Sequence, residues 1–214
     1  MIQIWAADIS PLLEKEIYEK YYQTSPKFRR DKADKIKTTL KKAQSIGVWA
    51  LWSEIKSELN LDQSVVTNFS HSGNYALCAV QVSGRRREKI GCDIEALGSF
   101  TLPFVQRFFC QGELDYIYSA SQEEEQIERF FRYWVLKESF MKATGRGMAV
   151  DTRSFEIALG NPGDPVVFLK KPKYFEDDYF LYELDFPDKA YKVACCTTDL
   201  EVDVKIKNKI LRHI

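Results

Sequence analysis

The chain has 214 residues, with 31 basic and 31 acidic side chains and a formal net charge of zero. That balance gives no bulk electrostatic pull toward nucleic acid or an anionic membrane, and no apolar run in the sequence is long enough for a bilayer span. A 45% hydrophobic content suits a globular core, and the five cysteines show neither zinc-site nor redox-motif spacing.

Residues 2–8 are predicted to form a first strand. No charged segment precedes a long apolar one there, so a signal peptide is not expected. Ser10-Pro11 signals a short helix to about Tyr22, and Ser25-Pro26 repeats the signal. The helix that follows is predicted from Lys27 to Leu59, with a break near Gly47. Phe28, Ile36, Leu40, Ile46, Ala50 and Ile55 outline its apolar stripe. Arg29, Arg30, Lys32, Lys35, Lys37, Lys41 and Lys42 crowd the other face, the pattern of a solvated basic surface. Val65–His71, Tyr75–Val82 and Lys89–Glu95 read as a three-stranded meander turning at Gly73-Asn74 and Ser83-Gly84. Arg85-Arg86-Arg87 lies at the second turn and is expected to be exposed. Cys78, Cys92 and Cys195 fall in apolar strand patterns, as buried free thiols of a reducing cytosol do.

In the third of these strands Ile90, Cys92 and Ile94 point one way, and Gly91, Asp93 and Glu95 the other. Strand rise sets the two carboxylates about 7 Å apart. Such a face is either solvated or neutralised by something positive, and Gly91 leaves room for a ligand to approach the backbone. The Gly- and Ser-containing segment 96–101 divides the chain into halves, 1–98 and 99–214. Leu102–Ser119 is predicted as one helix, on which Phe104, Phe108 and Phe109 exceed what a single buried stripe needs. The surplus is either core or an anchor for a partner helix.

Ser121 and Glu124 read as a capping box for a long helix that Gly145 terminates. Ile127, Phe130, Phe131, Trp134 and Met141 mark its buried stripe. Glu138 falls on that stripe, four residues after Trp134. A carboxylate there is costly unless it is neutral, paired or metal-bound. Lys142, one turn on, and a cation are both open as its partner. Together with Asp93 and Glu95 it makes an all-oxygen donor set that suits Mg²⁺. Phe155–Leu159, Val166–Lys170, Tyr179–Phe186, Tyr191–Thr198 and Val202–Lys207 complete the chain as strands, separated by Gly160-Asn161-Pro162-Gly163 and Pro187-Asp188 turns.

These stretches resemble a known family. Gly91-Cys92-Asp93-Ile94-Glu95, followed by Trp134, Lys137-Glu138-Ser139, Lys142, Gly145 and Gly147, resembles the paired signatures of the 4′-phosphopantetheinyl transferases of the surfactin type. Asn68-Phe69-Ser70-His71-Ser72 resembles that family's Asn-x-Ser-His-Ser/Thr motif. The resemblance implies an α+β fold of two similar halves about a pseudo-two-fold axis, each a helix layer on an antiparallel sheet, with the active site between them. The N-terminal half would supply the basic helix, the Ser-His motif and the Asp-x-Glu strand; the C-terminal half would supply the Lys-Glu helix.

The implied reaction moves 4′-phosphopantetheine from coenzyme A to a serine of an acyl or peptidyl carrier protein and releases adenosine 3′,5′-bisphosphate. By the same resemblance Asp93, Glu95 and Glu138 would hold Mg²⁺, Glu138 is also a candidate base, and Lys142 would contact the pyrophosphate. Ser70 and His71 would meet the 3′-phosphate of coenzyme A, and Arg30 and Lys32 other phosphate oxygens. Lys137 projects about 100° away from Glu138 on an ideal helix. The expected protein is a cytoplasmic monomer that engages neither nucleic acid nor membrane.

Two departures stand out. No Gly-Lys-Pro segment precedes the Ser-His motif, and Gln44 stands where the family usually has arginine. They keep open a second reading, a non-catalytic module that binds coenzyme A or a carrier protein. A third, a metal-dependent phosphohydrolase, has the acids but no dedicated signature.

Overall fold

The structure, a computed structural model, describes residues 1–62, 64–84 and 88–211. Arg85, Arg86, Arg87 and His213 lie outside the described residues. The first part of the chain forms β1 (Ile2–Asp8), α1 (Lys15–Thr24), α2 (Lys27–Asp34), α3 (Thr39–Glu58), β2 (Thr67–Ser72), β3 (Tyr75–Gln81) and β4 (Ile90–Ala96). The second forms α4 (Leu102–Phe108), α5 (Gln111–Tyr118), α6 (Glu123–Ala143), β5 (Glu156–Ala158), β6 (Val167–Lys170), β7 (Phe180–Leu184), β8 (Tyr191–Thr197) and β9 (Val202–Lys209).

Strand alternation sets the layers. One sheet has the order β2-β3-β1-β9 and a second the order β4-β8-β7, with β5-β6 as a separate hairpin. In β3, Ala76, Cys78 and Val80 pack with Ile46, Leu51 and Ile55 of α3, while Leu77 and Ala79 face the other way. In β8, Ala194 and Cys196 pack with Leu136 and Phe140 of α6, while Val193 and Cys195 face inward. The inward faces meet in a middle core that includes Ile4, Leu77, Cys92, Ile94 and Val193. The result is an α+β sandwich of four layers, helix on sheet on sheet on helix, held by alternating apolar faces as such packings require. No described helix is long and apolar enough to cross a membrane.

Several local expectations are corrected. The basic helix breaks at residues 35–38, not at Gly47. Gly47 lies inside α3, where an added Cβ would sit 2.4 Å from Ile9 Cγ2, so the glycine serves close packing. The helix expected over Leu102–Ser119 is two, because Phe109 and Cys110 adopt extended backbone angles; Glu113 caps the second by accepting from the Cys110 N–H at 2.8 Å. At α6 no Ser121–Glu124 box forms; Gln122 is the cap residue, without a side-chain bond, and Glu123, Glu124 and Glu125 face the positive end of the helix dipole.

The meander is a hairpin only. β4 does not pair with β3 but runs antiparallel to β8, placing Cys92 opposite Cys195. Its apolar face covers the inner face of the first sheet instead of extending that sheet's edge. β9 returns the exchange by pairing with β1. That pair is parallel, where the family resemblance implies antiparallel sheets. Each of the two larger sheets therefore contains a strand from the other side of the residue 98/99 boundary.

Candidate active site

The site forms where β4 passes under α6. Gly91 makes the approach possible. A Cβ there would lie 1.9 Å from Ser139 O and 2.4 Å from Ala143 N, so the space expected to admit a ligand is filled by the helix backbone. This contact brings Lys142 against Asp93, two residues further along β4.

Asp93 is 2% exposed. Its Oδ1 accepts from Ser70 Oγ at 2.7 Å and from Lys142 Nζ at 2.7 Å. Its Oδ2 is buried without a partner. Burial pushes the Asp93 carboxyl above its ordinary value, against the pull of Lys142 and Ser70. Lys142 also donates to Ser70 Oγ at 3.0 Å and to Cys92 O at 3.1 Å. Its charge survives burial because Asp93, Cys92 and Glu138 outweigh the desolvation and raise its pKa.

Glu95 is half-buried and accepts from Ser72 Oγ at 2.7 Å. Burial first, and then the charge of Asp93, push its carboxyl up to about 7. Glu138 is half-buried on α6, its pKa raised by burial and by Asp93 while Lys142 opposes. Thus three acids repel one another around a single lysine. Among the described residues, no three His, Cys, Asp or Glu side chains stand at the spacing that holds one metal ion. What fits a hard cation is the donor set: two half-buried carboxyls held above their ordinary pKa and an unpartnered buried oxygen on the third. A divalent cation relieves both the repulsion and the unmet hydrogen-bonding capacity.

The residues expected at the phosphates divide. His71 stays solvent-accessible, while packing and the charges of Lys142, Lys32 and Arg29 hold its imidazole below its ordinary pKa. Ser70 points to the opposite side of β2, toward the carboxylates, as alternation along a strand demands. Lys32 is exposed. Arg30 is tied to backbone, donating through Nη1 to Ser25 O at 2.8 Å and Gln23 O at 3.2 Å. Its neighbour Arg29 is the residue with spare capacity. The Arg29 guanidinium lies over the rings of Trp49 (5.2 Å) and Phe28 (5.8 Å), and its Nε is buried and unpartnered. One residue on a helix is a 100° turn, so the run Arg29-Arg30 did not reveal which side chain was free.

Lys137 takes no part in this cluster. It is fully buried, 2.9 Å from Glu113 Oε2, and donates to Thr152 O at 2.7 Å and Phe155 O at 3.1 Å. The sequence placed Asn68 and Ser72 in the Ser-His motif but gave them no role; they reach β4 from alternate positions of β2. Their signal was present: Asn68, Ser70 and Ser72 are polar at every second residue.

Residues 89–196, half of the chain, match the model of the 4′-phosphopantetheinyl transferase superfamily. The chain is 33% identical over 130 residues to the 4′-phosphopantetheinyl transferase Sfp of Bacillus subtilis, covering 60% of this chain and 53% of that protein. It is 29% identical over 137 residues to the 4′-phosphopantetheinyl transferase gsp of Aneurinibacillus migulanus, covering 64% and 53%. It thus spans about half the length of those relatives. Among solved structures, the holo-[acyl-carrier-protein] synthase of Neisseria meningitidis aligns with a TM-score of 0.42 at 25% identity, covering 51% of this chain and 95% of that one.

Proposed function

The chain belongs to the 4′-phosphopantetheinyl transferase superfamily, and from that premise we propose that it transfers 4′-phosphopantetheine from coenzyme A to a serine hydroxyl of an acyl or peptidyl carrier protein. The observation that carries this reading is the meeting of Asp93 and Lys142, from two separate motifs, at 2.7 Å beside Glu95 and Glu138.

The serine oxygen attacks the phosphorus that bears the pantetheine arm. A new P–O bond forms, the pyrophosphate P–O bond breaks, and adenosine 3′,5′-bisphosphate leaves. Asp93, Glu95 and Glu138 would hold Mg²⁺, which when bound neutralises charge on the pyrophosphate. Glu138 would take the serine proton, a role that its proton affinity, raised by burial and then by Asp93, supports. Lys142 serves as a point charge for a phosphate oxygen once it gives up one of its three present acceptors. His71, with Lys32 and Arg29 beside it, suits the 3′-phosphate, and Ser70 holds Asp93. Arg30 would need to exchange its backbone acceptors to reach phosphate. The carrier docks on α4, where Leu102 and Phe104 remain exposed while Phe109 is core. We propose a monomer, because a single chain supplies all these groups, and a cytoplasmic one, in keeping with its free cysteines.

The test is the mass of a purified apo-carrier protein after incubation with this protein, coenzyme A and Mg²⁺. Addition of one phosphopantetheine per carrier is expected, and an unchanged mass across carriers of fatty acid, polyketide and peptide synthesis refutes transfer. A non-catalytic binding module is the second reading. Gln44, a neutral amide bonded to Gly73 O where the family usually has arginine, favours it, and binding of coenzyme A with no mass shift would establish it.

A further inference from the structure

The edge of β4 that faces away from β8 has no partner strand among the described residues. Side chains of β2 take that place. The Cys92 N–H donates to Asn68 Oδ1 at 3.0 Å, and the Ala96 N–H donates to Ser72 Oγ at 3.1 Å. Ser72 uses its hydroxyl in both directions: it accepts from Ala96 N–H and donates to Glu95 Oε2 at 2.7 Å. The Glu95 carboxylate is thereby tied, through one hydroxyl, to the backbone of the next residue.

The turn that follows Ser72 is held from both sides. In this β2–β3 turn Gly73 adopts φ +49°, and an added Cβ there would lie 2.2 Å from the Tyr191 hydroxyl. Gly73 O accepts from Gln44 Nε2 of α3 at 2.9 Å, and the Asn74 N–H donates to the Tyr191 hydroxyl of β8 at 3.2 Å. Gln44 is 6% exposed, so this amide bond is shielded from water. The residue that departs from the family pattern on α3 therefore has a definite task in this chain, which a neutral amide performs without burying a charge.

We propose that Ser72, steadied by Gln44 and Tyr191, is a positioning residue that fixes the Glu95 carboxylate in the orientation in which it serves a divalent cation; this rests on the cation-binding role proposed for Asp93, Glu95 and Glu138. A free glutamate samples several rotamers, and a partner that holds one of them sets the affinity of the site without touching the ion.

The measurement is Mn²⁺ affinity of the full chain by electron paramagnetic resonance, with and without coenzyme A, alongside metal-free melting curves. Ser72→Ala is expected to bind Mn²⁺ about 10-fold more weakly or worse, with a metal-free melting curve close to wild type. Ser72→Thr, which keeps the hydroxyl, should return to within about threefold of wild type. In a Glu95→Gln background Ser72→Ala should cause no further loss, and Tyr191→Phe should give a smaller loss in the same direction. An unchanged affinity in Ser72→Ala, a loss that Ser72→Thr does not rescue, or an equal loss in the Glu95→Gln background overturns the proposal alone. A wild type that binds no Mn²⁺ under either condition overturns it together with the metal reading.

Discussion

Two lysines five residues apart on α6 each pair with a carboxylate, yet the pairs are built to opposite ends. Lys137 and Glu113 are both fully buried. Lys137 donates to Glu113, Thr152 O and Phe155 O, and lies 4.3 Å from the Phe155 ring centroid. Glu113 accepts from the N–H groups of Cys110 and Ile157 as well. Burial pushes Glu113 up and Lys137 down, against their mutual attraction. Lys142 and Asp93 pair at 2.7 Å, but the lysine side chain is 26% exposed and one aspartate oxygen is unpartnered. A closed pair, with every donor and acceptor used, has nothing left to offer a ligand. An open pair has.

Mutation sharpens that contrast. Asp93→Ala and Glu138→Ala should each lower transfer by roughly three orders of magnitude, the several kcal/mol expected when charge neutralisation at a pyrophosphate is lost. Circular dichroism should show both variants folded. An Asp93→Ala protein that transfers at the wild-type rate would remove the open pair from the reaction.

Lys137→Ala should act on stability instead. It leaves Glu113 buried and uncompensated, at a cost of about 3–5 kcal/mol. Replacing both partners, Lys137→Met with Glu113→Leu, should recover most of that loss. Urea denaturation measures each variant, and Asp93→Ala should lose less than half as much as Lys137→Ala, because water reaches Lys142. Equal losses would erase the distinction between the pairs.

His71, on the other face of β2 from Ser70, still feels the charges of Lys142, Lys32 and Arg29. His71→Ala should weaken use of coenzyme A by about 1.5–3 kcal/mol, the worth of a charge-assisted contact, and leave dephospho-coenzyme A nearly unaffected. Steady-state kinetics with the two donors decides, and equal losses with both would move His71 away from the 3′-phosphate.

The last effect concerns pH. Glu95 has a folded-state pKa of about 7 against an ordinary value of 4.5. Between those values the folded chain holds a proton that the unfolded chain has released, so this group's contribution to stability falls as pH rises through that window. In metal-free protein, Glu95→Gln should therefore melt at a temperature less sensitive to pH between about 4.5 and 7 than wild type does. A wild type and mutant with parallel melting profiles would show that Glu95 ionises normally.

The same contrast shows what a sequence carries. The alternation of Ile90, Cys92 and Ile94 against Asp93 and Glu95 is local, and it reads correctly from six residues. So does the placing of Glu138 and Lys142 one helical turn apart. The partner of β4 was not legible, because an apolar strand face looks the same whether it extends one sheet or covers it from a second. Gly47 and Gly91 mislead for a related reason: each glycine answers to a neighbour distant in sequence, Ile9 in one case and α6 in the other. Lys137 sits in a motif beside Glu138, and the 100° turn between them pointed it away from the site without saying where it would go. Nothing local announced that Glu113, across a separate helix, would claim it.

The parallel pairing of β1 with β9 joins residues 2–8 to residues 202–209. At ribosomal speeds of 5–20 residues per second, about 10–40 s separate the synthesis of these two strands. During that interval one edge of β1 waits without its strand, and β4 waits for β8 in the same way. The nascent chain thus carries unpaired strand edges until late in translation, and the two sheets close only when the last strands emerge.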